Sequence, residues 1–204
     1  MVVTGSTCSG KTTWLFRLLR HKDVMFRNPT EKVLYCYGIY QPLYEEMERE
    51  LSFVTFHSGI PTLTDLEALS DKHHCNFVIL DDLSEIVSAS SEMESLFVKG
   101  MHHRHLSVIY LNQNLFSRGR HSRTINVNTH IYVLMRNPRD VSQLQCLSRQ
   151  AFPGKSKFVM DAFNDATRQA YGYLVLDFPP SGEQAYRVRT MVFPNEDTIV
   201  YQSL

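Results

Sequence analysis

The stretch "VVTGSTCSGKTTW", Val2 to Trp14, decides how the rest of the chain is read. Gly5 and Gly10 stand five apart, and Lys11 and Thr12 follow at once. The β-branched pair Val2 and Val3 reads as the end of a strand, and Lys11 onward reads as a helix. Strand, glycine-bounded loop and helix in that order aim backbone N–H groups at whatever anion sits on the helix N-terminus. Glycine at both positions lets the backbone curl and come close to phosphate, which a Cβ would hinder. The pattern therefore reads as a P-loop, with Gly5, Ser6, Thr7, Cys8, Ser9, Gly10, Lys11, Thr12 and Thr13 as nucleotide-binding residues. Lys11 would reach the β- and γ-phosphates and the Thr12 hydroxyl would meet Mg2+. A Ser/Gly-rich surface turn is the plain alternative, but it does not require Gly, Gly, Lys and Thr at fixed offsets.

Composition sets the frame around this loop. The 204 residues suffice for a single α/β domain spanning 1–204 with a sizeable core. No apolar run approaches the ~18 residues of a membrane span, and nothing at the N-terminus has the form of a signal peptide, so no membrane partner is expected. Only four residues precede Gly5, so the first strand reads as shortened at its N-terminus. Cys8, Cys36, Cys75 and Cys146 are scattered without paired spacing and read as reduced thiols, neither zinc ligands nor a disulfide frame. Net charge is zero, which argues against a uniformly basic surface. The distribution is uneven: Glu31 to Gly100 holds four basic and thirteen acidic side chains, a balance of −9, whereas Ser117 to Lys157 holds eight basic and one acidic, a balance of +7. The basic stretch is either a solvated face or an edge turned to a polyanion.

Apolar runs and helical stretches alternate along the chain, the mark of a mostly parallel sheet with helices on both faces. Strands are expected at "KVLYCYG" (32–38), "FVTFHSG" (53–59), "NFVILDD" (76–82), "LSVIYLNQN" (106–114) and "THIYVLM" (129–135). Helices are expected after Pro42, after Pro61, from Ser90 or Ser91 through the "MHHR" run, from Pro138 to about Arg149, and over about 158–168. A polar, arginine-rich loop separates the strand at 106–114 from the next, and "YGYLVLDF" with "YRVRTMVF" reads as a C-terminal β-hairpin. In such a sheet ligands gather at the carboxyl ends of the strands, where the loop 5–12, Asp81–Asp82 and Asn112–Gln113 all fall.

"FVILDD" has the form of a Walker B strand: apolar residues buried on both faces, then acids at the tip. Asp81 would hold Mg2+ opposite Thr12, and Asp82 stands where many ATPases keep the glutamate that orients the attacking water. Glu85, a turn further on, is a weaker candidate for that task. Gln113, at the end of the following strand, suits a γ-phosphate sensor because its amide both donates and accepts. Two strands intervene between the P-loop and Asp81, as in the RecA-like, additional-strand division of P-loop NTPases, and no Asn-Lys-x-Asp guanine-reading motif occurs. ATP is the expected nucleotide. His102 and His103 in "MHHRH" diverge on a helix and lack a neighbouring carboxylate or thiol, so a helix end is expected there rather than a metal site.

Taken in order, "GSTCSGKTTW", "VLYCYGIYQPLY", "FVILDDL", "SVIYLNQNLF", "RTINVNTHIYVLMRNPRD" and "SRQAFPGK" resemble the FtsK–HerA superfamily of DNA-pumping ATPases. Within it the likeness is to the genome-packaging ATPases of Polinton/Maverick-type elements and their poxvirus-like relatives, over about residues 1–165. The resemblance implies ATP hydrolysis in a homo-oligomeric ring that drives double-stranded DNA into a capsid, docked on a capsid or portal protein. It implies an intracellular setting, host nucleus or viral factory, with association with the virion. Lys11, Thr12, Asp81 and Gln113 fall on its nucleotide-site motifs and Asp82 on its second acidic position. Its arginine finger falls among Arg118, Arg120, Arg123 and Arg139, with Arg123 first because "RTINVN" matches the family pattern and Arg118 second. Two other readings use the same residues: a small P-loop nucleoside or nucleotide kinase, whose lid the 118–123 segment would imitate, and a non-hydrolysing nucleotide-dependent assembly protein.

Overall fold

The computed structural model describes residues 1–91, 93, 105–116, 119–139, 141–178 and 183–203. The chain forms two compact units, each assembled from separate stretches: Met1–Lys11, Gln113–Phe116 and Thr129–Leu204 in the first, Thr12–Asn112 and Ser117–Asn128 in the second.

The first unit is built on β1 (Val2–Thr4), which pairs in parallel with β6 (Ile131–Met135), Val3 opposite Val133. Every residue of β1 is buried, as parallel strands covered on both faces require. Beyond β6 the sheet turns antiparallel through β7 (Tyr173–Asp177), β8 (Val188–Thr190) and β9 (Ile199–Val200). The expected C-terminal antiparallel pair is thus present; its tip, 179–182, lies outside the described residues. Two helices, α7 (Val141–Ala151) and α8 (Ser156–Ala166), bury Leu144, Leu147 and Ser148 from one and Val159, Ala162 and Phe163 from the other, the i, i+3, i+4 spacing of a single apolar face. α8 packs on β7. The helix expected from Pro138 begins only at Val141, because the Asn137 Oδ1 takes the Arg139 N–H at 3.3 Å and holds the chain in a turn past the proline.

In the second unit β2 (Val33–Tyr37), β3 (Val54–Ser58), β4 (Asn76–Asp81) and β5 (Leu106–Asn112) run parallel in the order β3-β2-β4-β5. All six residues of β4 are buried. The helices are α1 (Lys11–Arg20), whose first residue closes the P-loop, α2 (Lys22–Met25), α3 (Leu43–Glu50), α4 (Leu63–Leu69), α5 (Ser84–Ala89) and α6 (Ser122–Val127). α4 starts on a reciprocal cap: the Thr62 hydroxyl accepts the Asp65 N–H, and the Asp65 carboxylate accepts the Thr62 N–H. Ser90 Oγ accepts the Met93 N–H at 3.2 Å, as expected of an N-cap, though 94–104 of the helix expected there lie outside the described residues, His102 and His103 among them. Several short elements were not expected, among them α2 of four residues and a 3-10 turn at Gln184–Tyr186. α5 and α6 are six residues each, too short to show a helical period, and α6 sits in the stretch read as an arginine-rich loop. β9 is two residues.

Candidate nucleotide site

The P-loop wraps tightly after β1, and its glycines are fixed by space as well as by torsion. A Cβ on Gly5 would lie 2.6 Å from Ser9 Oγ and 2.7 Å from the Met135 Cβ. Gly10 has φ +95, and a Cβ on it would lie 2.9 Å from Tyr171 Cδ1. Ser6 ties the loop to the end of β6, its hydroxyl donating to the Arg136 carbonyl at 3.1 Å. The Lys11 ammonium donates to the Gly5 carbonyl at 2.9 Å and the Ser6 carbonyl at 3.0 Å, bridging the base of the loop. The backbone N–H groups of Thr7, Cys8 and Gly10 bond to no other described residue. Amides without described partners in the loop that leads into the ten-residue helix α1, with the Lys11 charge beside them, have the chemistry of a phosphate cradle. Cys8 holds φ 62 with an exposed thiol, an uncommon backbone for a residue other than glycine.

Gln113 joins this loop. Thr4, Gly5, Gln113 and Asn137 line an open pocket of about 40 Å³, floored by Leu134, Leu144 and Phe163. The Asn137 amide nitrogen lies 3.5 Å from the Gln113 carbonyl oxygen. Gln143 braces the segment by accepting the Phe116 N–H at 2.7 Å. Two sequence-predicted residues, Gly5 and Gln113, thus share one wall, and Asn137, which motif reading did not single out, completes it.

The acidic pair ends β4 in the second unit. Asp81 is 4% exposed and its Oδ2 accepts two buried hydroxyls, Tyr35 Oη at 2.6 Å and Tyr44 Oη at 3.0 Å. Burial, and then the Asp81 charge, push both phenols well above their ordinary range, so they stay protonated and act as donors. The tyrosine rings pack with Tyr37, Tyr40 and Phe56 in one aromatic cluster. Asp82 leaves this enclosure: it is exposed, with φ 56. Gly38, at the end of β2, donates its N–H to the Asp81 carbonyl at 3.0 Å, and a Cβ on it would fall on the Asp82 carbonyl oxygen. A carboxylate held by neutral donors, with a hydroxyl such as that of Thr12, is the hard-oxygen set that suits Mg2+, which takes one or two carboxylates and completes its shell with phosphate and water.

The remaining candidates are scattered. Glu85 is exposed on α5. Arg123 is exposed on α6, Arg120 just before it and Arg139 in the turn before α7; Arg118 lies outside the described residues. Tyr35 and Tyr44 escaped motif reading, yet a signal was there: residues 33–44 hold four tyrosines, Tyr35, Tyr37, Tyr40 and Tyr44, beginning inside an otherwise apolar parallel strand. A phenol in such a place needs a partner for its hydroxyl.

No protein-family model and no curated protein matches the chain. Solved structures do. The genome packaging NTPase B204 from Sulfolobus turreted icosahedral virus 2, in complex with ATP-gammaS, aligns with a TM-score of 0.57 at 10% identity, over 100% of this chain and 96% of that one. The complex of the same protein with AMPPCP aligns at 0.52 and 11%, again over 100% and 96%. B204, the DNA-packaging ATPase from Sulfolobus Turreted Icosahedral Virus, aligns at 0.56 and 11% over 100% and 96%. At such identities the likeness is one of fold: a mixed α/β P-loop NTPase with a mostly parallel set of strands, as the sequence leads one to expect.

Proposed function

We propose that the chain is an ATPase that translocates double-stranded DNA into a viral capsid. The observation that carries the ATPase half is the P-loop, whose glycines have no room for side chains and whose Thr7, Cys8 and Gly10 amides lack described partners beside Lys11. The packaging half is supported by the resemblance of the sequence to FtsK–HerA packaging ATPases, Polinton-type and poxvirus-like, and by a fold shared end to end with a viral packaging NTPase.

In this reading the loop amides and Lys11 hold the phosphate chain. Thr12 and Asp81 hold Mg2+, which when bound neutralises charge on the phosphate oxygens. Asp82, exposed beside the tyrosine enclosure, takes the proton of the attacking water. Gln113 orients that water or the γ-phosphate. Arg123, or Arg118, serves a neighbouring subunit's nucleotide in a homo-oligomeric ring, as an arginine supplied in trans stabilises transition-state charge. The basic stretch 117–157 meets the DNA backbone. The motor works in the host nucleus or viral factory, docked on a capsid or portal protein.

The test is ATP hydrolysis by the purified protein with and without double-stranded DNA. Stimulation by DNA, weakening with salt, is expected. Hydrolysis indifferent to DNA but dependent on a small phosphoryl acceptor would establish the kinase reading instead, and nucleotide binding without turnover the assembly reading.

A further inference from the structure

The turn "TRQAYGY", residues 167–173, places a strained, exposed aromatic ring against the P-loop. α8 ends at Ala166, and the chain is then secured to that helix end: Thr167 Oγ1 donates to the Phe163 carbonyl at 2.7 Å, the Arg168 N–H to Asp165 at 3.2 Å, and the Gly172 N–H to Gln169 at 3.2 Å. A Cβ on Gly172 would fall on the Ala166 carbonyl oxygen, so the turn packs closely on the helix end at that glycine. Within it Tyr171 holds φ 62, a conformation unfavourable for an aromatic residue, and is 72% exposed. Core packing does not explain that residue. Its hydroxyl bonds to no other described residue, and its contact is with Gly10: Cδ1, Cγ and Cβ stand 2.9, 3.6 and 3.7 Å from where a Gly10 Cβ would be.

Gly10 is the last loop residue before α1, so a nucleotide whose phosphates occupy the cradle must leave it past one of the loop's edges. A ring at that edge, one flank on the glycine and the rest in solvent, offers the flat apolar surface a nucleobase lacks elsewhere on a polar loop. We propose that Tyr171 is the nucleobase platform of the site, on which the purine of the triphosphate stacks; this rests on the P-loop reading given above. The glycine at position 10 then serves two ends, the torsion of the loop and the close seating of the ring. Because every base has a π-face, such a platform favours the larger purines without reading their edges.

The experiment is calorimetric binding of ATP and of base-free tripolyphosphate to the wild type, Tyr171→Ala and Tyr171→Phe. Tyr171→Ala is expected to weaken ATP about tenfold or more, as loss of a stacked base does, while tripolyphosphate stays within about twofold and Tyr171→Phe binds both as the wild type does. An equal loss for both ligands would mean that the ring only shapes the loop, and an unchanged ATP affinity that it touches no base; either overturns the platform. Were the wild type to bind neither ligand, the cradle itself would be wrong and the platform with it. Should Tyr171→Ala not fold, Tyr171→Trp carries the test: its added fluorescence is expected to be quenched by ATP and not by tripolyphosphate, and quenching by neither rejects the proposal.

Discussion

The ends of β1 and β4 solve opposite problems. After β1 the chain builds with backbone: glycines without room for side chains, amides without described partners, and a lysine folded across its own loop. After β4 it builds with side chains: Asp81 is 4% exposed, held by two phenols from β2 and α3, while Asp82 next to it is left in solvent. The first device is local, spanning consecutive residues. The second is assembled from positions 46 and 37 residues away. A backbone device tolerates loss of side chains other than Lys11 and Thr12; a side-chain device in a buried setting depends on each partner, because an unsatisfied buried group costs more than the bond itself contributes.

The largest effect belongs to the backbone device's single charge. Lys11→Ala is expected to lower ATP turnover by at least about 10²-fold with the thermal transition unchanged, since the Lys11 ammonium donates to the Gly5 and Ser6 carbonyls of its own loop. A steady-state assay beside a melting curve decides it. A variant that turned over ATP like the wild type would remove the contrast altogether.

Next come the two acids, which neighbour each other in sequence and differ in setting. Asp82→Asn is expected to keep Mg2+-dependent nucleotide binding and slow hydrolysis by about 10²-fold or more, as loss of a general base does. Asp81→Asn is expected to weaken that binding and also to destabilise the fold, because Oδ2 is the shared acceptor of two buried hydroxyls. Binding isotherms with and without Mg2+ separate the two; similar small effects from both would mean that the enclosure makes no functional difference.

The enclosure itself is probed by Tyr35→Phe and Tyr44→Phe. A hydrogen bond to a charged acceptor contributes about 1.5–3 kcal/mol, and each substitution is expected to lower unfolding stability by an amount in or just below that range. Tyr35, at 2.6 Å, should cost more than Tyr44, at 3.0 Å. Urea unfolding measures this, and losses below about 0.5 kcal/mol for both would make the tyrosines packing residues only.

How much of this was legible in the sequence follows the same division. The strands at 33–37, 76–81, 106–112 and 131–135 fall inside the windows expected for them, because a strand with a parallel neighbour and both faces buried is a continuous apolar run. The P-loop was legible because its offsets are fixed within nine residues, and the pairing of Gly5 with Gln113 along one pocket wall accords with both standing at strand ends. The Tyr35 and Tyr44 bonds to Asp81 were not legible, since nothing local to "FVILDD" says which distant hydroxyls reach it. Tyr171 was hidden for a like reason: its partner, Gly10, stands at the other end of the chain. α5 and α6 failed on length, six residues giving fewer than two helical turns.

The smallest effect tests the torsions that the two ends have in common. Each holds one residue other than glycine in the left-handed region, Cys8 at φ 62 and Asp82 at φ 56. That region costs an ordinary L-residue about 1–2 kcal/mol, and less for aspartate, whose short polar side chain bonds locally. Replacement by glycine relieves the cost but adds about 0.4–1 kcal/mol of unfolded-state entropy. For Cys8→Gly the balance is a gain of less than about 1 kcal/mol, helped by the exposure of the thiol, whose loss removes no packing. For Asp82→Gly the two terms nearly cancel, so its melting point should match the wild type or fall slightly. Thermal melts of the two variants side by side check the sign. A Cys8→Gly protein less stable than the wild type would mean that the Cys8 side chain holds the loop, and that the end of β1 is not the purely backbone device it resembles.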